Sequence, residues 1–274
     1  MKRLLTLVLL ACAGPALAEG VPGGLRGTWS LGACAAPDAL LHVTARSVVR
    51  LPLDGPARLV RFRSIREREG WTIGIGGGAE APRVMLRADG DALETAEPDA
   101  KTLDDQLPGA GPPTRWERCA APPPILALLH GEGIAFLGAL ERIEAVCQGG
   151  AATACLQEVV TVGDVSGDGL LGTAEIARML RGAAWALAAQ DGGASDSLAA
   201  AVGLGGIAAL GAARLTVESL DYDGDGRLSV AELGQDRAAF PPGTGAPAGQ
   251  PVALQALDEG AGLLRALIER LAAP

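Results

Sequence analysis

The run LDYDGDGRLSVAEL, residues 220–233, packs four carboxylates and two glycines into one short stretch. Counted from Asp221, the acids stand at the first, third, fifth and twelfth places (Asp221, Asp223, Asp225, Glu232). Glycine is sixth, leucine eighth and Ser229 ninth. A hard cation such as calcium gathers about six to eight oxygens, and a chain supplies them by bending tightly around the ion. Glycine at the sixth place permits the bend, the carbonyl of the seventh residue (Arg227) turns inward, and the twelfth-place Glu closes the shell with both oxygens. A merely solvated acidic turn has no need of this spacing.

The pattern occurs twice. GDVSGDGLLGTAEI, residues 163–176, repeats it with Asp164, Ser166, Asp168, the Leu170 carbonyl and Glu175, again with glycine sixth and leucine eighth. On these two loops the chain resembles the EF-hand family over roughly residues 150–240. The twelfth-place Glu175 and Glu232 favour that family over dockerin-like repeats. The resemblance implies two helix–loop–helix units whose loops associate back to back and bind two calcium ions. Helical spacing flanks the loops: Leu156, Val159 and Val160 precede the first, Ile176, Met179 and Leu180 follow it, and Leu210, Val217 and Leu220 precede the second. Two departures stand out. The loops begin 57 residues apart because residues 182–206 insert an Ala/Gly-rich piece, and Asp236, Arg237 and Pro241-Pro242 cut short the last helix.

Residues 197–213 carry no charge, yet they fall short of the roughly 20 residues a membrane span needs. A span here would put the two loops on opposite sides of a bilayer. A buried helix hairpin is expected instead, with no transmembrane segment.

At the start, Lys2 and Arg3, an apolar run and Ala16-Leu17-Ala18 form a secretory signal over residues 1–18. The alternative is a lipoprotein signal, since Leu9-Leu10-Ala11-Cys12 resembles a lipobox with a lipid anchor at Cys12. The product is expected in the periplasm or outside the cell, or held at a membrane by that lipid. Either way four cysteines remain, Cys34, Cys119, Cys147 and Cys155, an even set suited to disulfides in an oxidising compartment. Three connectivities are open, and the most local joins Cys34 to Cys119 and Cys147 to Cys155.

Charge is uneven. Residues 19–122 hold 13 basic and 14 acidic side chains, whereas residues 123–274 hold 8 and 18. The acid gathers with the loops, where bound cations would offset it, and it leaves no footprint for nucleic acid.

Residues 25–120 read as strands. GTWSL, ALLHVTA, SVVRL, ARLVRFRSI, WTIGIG, PRVMLRA, DALETA and TRWERC are short β-prone runs with turn residues between most of them. Eight such runs point to a small antiparallel barrel or sandwich over residues 19–121. Gly27-Thr28-Trp29, with Arg115-Trp116 in the last run, resembles the lipocalin barrel signature. The small periplasmic protease-inhibitor barrels, with a disulfide and an early Gly-x-Trp, are a comparable match. The first implies a binder of small apolar molecules, the second an inhibitor. Arg58, Arg61, Arg63, Arg66 and Arg68 form a basic strip, read as a solvated strand face or as a dock for an anionic partner, this protein's own acidic half included. Gly74 to Gly78 lack the following helix that a phosphate cradle needs.

The only histidines, His42 and His130, lie in different regions and read as packing or surface residues. With no HExxH, no Gly-x-Ser-x-Gly and no Cys–His pair in sight, an enzyme is not expected.

After Pro122-Pro123-Pro124 an apolar stripe (Leu126, Leu129, Ile134, Leu137, Leu140, Ile143) marks a helix ending near Cys147. A helical module with the paired loops is expected over residues 125–240. Residues 241–251 then read as a linker, and 252–274 as an amphipathic helix packed on that module. The expected whole is a multidomain chain, a small β-barrel or sandwich followed by an all-α calcium module, with a protein or a small apolar molecule as partner.

Overall fold

All eight β-prone runs are strands in the computed structural model, which describes residues 20–79, 81–98, 112–235 and 237. The strands are β1 Gly27–Leu31, β2 Ala39–Val43, β3 Ser47–Pro52, β4 Arg58–Arg68, β5 Trp71–Gly76, β6 Arg83–Asp89, β7 Ala92–Ala96 and β8 Thr114–Arg118. Each pairs antiparallel with its neighbour, and β8 returns to β1 with Trp29 opposite Arg118, so the sheet closes into a barrel. Closure removes both sheet edges. The signal segment 1–18, the linker 241–251 and the C-terminal helix 252–274 lie outside the described residues.

Side chains alternate across each strand. Trp29, Leu41, Val43, Val48, Val60, Phe62, Val84, Leu86 and Trp116 form the cluster inside the barrel. The β4–β5 register shifts between Phe62 and Ser64, and a β-carbon on Gly74 would fall 2.4 Å from the Phe62 ring. That glycine is what lets the phenyl ring fill the interior.

Several strands are apolar on their outer face too. Leu40, Val49, Leu51 and Leu59 form a second core with Leu137, Trp185, Ala186, Ala189 and Leu198 from the helices. The helices are α1 Pro124–Cys147, α2 Ala152–Gly163, α3 Thr173–Gln190, α4 Ser195–Leu220 and α5 Val230–Gly234, with short strands β9 Leu171–Gly172 and β10 Arg227–Leu228 between them. Barrel and helices therefore share a core and belong to one compact unit. The stretch 182–206 supplies the end of α3 and the start of α4, a helix hairpin whose turn meets the barrel through an Ala57 N–H bond to the Gly193 carbonyl of 2.9 Å. The hairpin is only partly buried, for Ile207, Leu210 and Leu215 on α4 are exposed.

Polar contacts fasten α1 to the barrel. The Glu141 carboxylate accepts bonds from Thr44 Oγ1, from the Ala45 and Arg46 N–H groups (each 3.1 Å) and from Ser47 Oγ (2.8 Å), so it caps the β2–β3 turn. Within the basic strip, Arg61 pairs with Glu144 of α1, Arg58 with Glu97 and Arg68 with Glu69. One member of the strip thus meets the protein's acidic half. Cys34 is bonded to Cys119 and Cys147 to Cys155, the most local of the three connectivities. The first ties the start of the barrel to its end; the second joins α1 to α2.

Candidate metal centre

The two acidic loops occupy equivalent places. Residues 164–175 run from the end of α2 into α3, and residues 221–232 run from the end of α4 into α5. Gly167 and Gly169 in one loop, and Gly224 and Gly226 in the other, all lie at φ between 79° and 81°. Side chains rarely adopt that conformation, which accounts for glycine at the fourth and sixth places of both loops. The eighth-place leucines sit opposite each other, Leu171 against Leu228, with Gly172 opposite Arg227. Both leucines are buried in a core with Val160, Ile176, Ala177, Ala213 and Val217. The loops are therefore joined back to back and anchored from beneath.

Hydrogen bonding repeats from loop to loop. The Asp164 carboxylate accepts N–H bonds from Gly167 (2.6 Å), Asp168 (3.2 Å) and Gly169 (2.7 Å), and one from Ser166 Oγ (3.1 Å). Asp221 accepts from Gly224 (2.7 Å), Asp225 (3.2 Å) and Gly226 (2.8 Å). Glu175 reaches back to the N–H groups of Val165 (2.8 Å), Ser166 (2.9 Å) and Gly172 (2.8 Å). Glu232 does the same with Tyr222 (2.9 Å) and Ser229 (2.8 Å), and Ser229 Oγ accepts from the Glu232 N–H (3.2 Å) to complete a capping box. The seventh-place N–H groups match as well, Leu170 on Asp168 and Arg227 on Asp225. First- and twelfth-place carboxylates are thus positioned by backbone N–H groups in both loops.

The charges crowd. Oxygens of Asp221, Asp223 and Asp225 lie within 4.8 Å of one another, and among the described residues this is the one group of three such side chains to converge. The Gly169 N–H bond, ahead of the other loop amides, holds Asp164 below the ordinary carboxylate range, and Ser229 does the same for Glu232. Asp223 differs. The Asp225 N–H lowers its pKa, but desolvation and the negative charges of Asp225, Glu232 and Asp221 outweigh that bond and leave it raised. Such crowding is relieved by a cation or by a proton. All-oxygen donors, with a carboxylate at the twelfth place, suit a hard divalent ion.

One member has a role outside the spacing rules. Arg227, singled out in the sequence only for its carbonyl, sends its guanidinium across to Asp168 of the other loop. No local motif encodes a contact between residues 59 positions apart.

Elsewhere, a cavity of about 310 Å³ opens into the barrel interior, lined by Leu41, Val60, Val84 and Trp116 of the interior cluster with Arg50 and Arg58 among its polar groups. Trp29 does not line this cavity and packs in the interior cluster with Leu41, Val43, Phe62 and Leu86. A broader cleft of about 1110 Å³ between β4 and α1 holds Arg46, Arg63, the Arg61–Glu144 pair and Glu141. The two histidines are packing residues. His130 is buried and accepts the Trp185 Nε1 bond at 3.1 Å, and His42 meets Thr28 Oγ1 at 2.9 Å.

The chain matches no known family model, and comparison with curated proteins and with solved structures returns no match.

Proposed function

We propose that this chain is an exported calcium-binding protein whose paired EF-hand loops hold two calcium ions and stiffen a barrel–helix interaction module. The first ion would be held by Asp164, Ser166, Asp168, the Leu170 carbonyl and Glu175. The second would be held by Asp221, Asp223, Asp225, the Arg227 carbonyl, Ser229 and Glu232. Calcium supplies positive charge in the second loop, where Asp221, Asp223 and Asp225 crowd.

The observation that carries the reading is the matched hydrogen-bond pattern of the two loops across the Leu171–Leu228 pair. Calcium is preferred to magnesium because a long flexible loop with a bidentate acid suits the larger ion, whereas magnesium keeps its water and demands a tight octahedron. Because the loops sit between α2, α3, α4 and α5 over one small core, an ion in each fixes the spacing of those helices. Calcium here is a brace for the helical layer that covers the barrel. The two disulfides support export to an oxidising compartment, with residues 1–18 as the signal and Cys12 as the alternative lipid site.

The helices 124–147 and 197–220 are long and apolar enough to cross a membrane by composition alone. We read both as part of the folded unit. Along α1, Glu132 pairs with Arg181, Glu141 caps a barrel turn and Glu144 pairs with Arg61. The partner is a protein in this reading, since Trp29 is packed into the interior cluster and lines no part of the cavity over Trp116. A second reading, a small molecule with an apolar body, is favoured only by the cavity over Trp116. Calorimetric titration of the exported chain tests the main reading. Two calcium ions per chain are expected, and heats no larger than those of dilution would reject it.

A further inference from the structure

We infer that Arg227 is a tethered counter-cation for Asp168, lowering calcium affinity in the first loop and making the loops fill in order, second before first. The inference rests on the calcium reading above.

Its basis is an asymmetry at the seventh place of two loops that share one backbone hydrogen-bond pattern. The seventh place holds Arg227 in the second loop and Leu170 in the first. Arg227 Nη1 pairs with Asp168 Oδ2 across the β9–β10 contact, while Asp168 Oδ1 accepts the Leu170 N–H at 2.9 Å. Both oxygens of this fifth-place ligand are therefore engaged. The leucine at the matching place has no charge to return the favour. Asp225, the fifth-place acid of the second loop, instead converges with Asp221 and Asp223.

An ion entering the first loop must draw a Asp168 oxygen from the guanidinium or sit beside a positive charge, and both weaken binding. The first loop also starts with fewer acids, because Ser166 stands where the second loop has Asp223. The pair is half exposed, with side-chain exposures of 49% and 33%, so its effect is moderate and falls with salt. The main chain of Arg227 belongs to the second site while its side chain reaches the first. A filled second loop holds that residue in position over its neighbour.

The test is a calcium titration followed by amide NMR on the full exported chain and on Arg227→Gln. The sixth-place amides, Gly169 bonded to Asp164 and Gly226 bonded to Asp221, report each loop separately. In the unsubstituted chain Gly226 should shift at lower calcium than Gly169. The substitution should tighten the Gly169 transition by about two- to five-fold, the range an exposed ion pair supports, and move Gly226 less. Raising salt to about 0.5 M should narrow the difference between the two chains. An unmoved or weakened Gly169 transition, or an equal gain at both glycines, overturns the inference and leaves the calcium reading standing. If neither glycine responds to calcium in the unsubstituted chain, the calcium reading itself fails and takes the inference with it.

Discussion

Gly133 of α1 lies so close to Trp185 of α3 that a β-carbon on it would fall 2.0 Å from the indole. Trp185 is fully buried against the outer wall of the barrel and anchors the helical layer there. Gly133→Ala should therefore destabilise the fold by about 1–3 kcal/mol through overpacking, despite alanine's better helix propensity. Urea unfolding followed by tryptophan fluorescence measures it. A variant as stable as the parent would show that α1 and α3 have room to separate.

The same indole donates to His130, so the imidazole must keep that nitrogen unprotonated. Burial holds its pKa below the ordinary value. Above about pH 6.5 the ring is neutral both folded and unfolded, and stability does not depend on it. As pH falls below that value the unfolded chain binds a proton that the folded chain refuses, and stability drops. Glu132, lowered chiefly by its Arg181 bond, keeps its contribution until pH falls to about 4 and below, so the two windows are separate. Thermal midpoints between about pH 5 and pH 7.5 should slope downward toward acid. His130→Gln should flatten part of that slope. His42, also depressed by burial, contributes equally to both chains, so the difference isolates His130.

On the proposed calcium reading, removing the ion should leave the barrel strands paired and loosen the loops and the helix ends beside them. Asp221, Asp223 and Asp225 repel one another without an ion, whereas the strands are held by a ladder that closes through β1 and β8. Hydrogen exchange with and without a chelator should show faster exchange over residues 160–176 and 216–233 and unchanged protection over residues 27–52. Equal protection in both conditions would contradict the brace.

Much of this was legible in the residues because it is local. Short β-prone runs set off by turn residues marked all eight strands, and glycine and leucine at fixed places marked both loops. Closure of β8 on β1 was not legible as such, since it depends on twist and on pairing between residues about ninety apart, and a sandwich fitted the same runs. The shared barrel–helix core left one signal. ALLHV and SVVRL are apolar on both faces, which a barrel wall needs only where something covers it. The Glu141 cap and the Arg227–Asp168 pair left none, for each joins groups tens of residues apart with no fixed spacing.

The loops should differ in strength. Four carboxylates serve the second and three the first, and affinity rises with ligand charge. Asp221→Ala should remove the tighter calorimetric event and Asp164→Ala the weaker one. The reverse assignment would refute the ranking.

Native mass spectrometry of the full chain, with and without calcium, tests the central claim most directly. Two calcium adducts are expected, falling to one when either Asp164 or Asp221 is replaced by alanine and to none when both are. A chain that carries no calcium at millimolar concentration, or whose adducts are indifferent to both substitutions, would contradict the account.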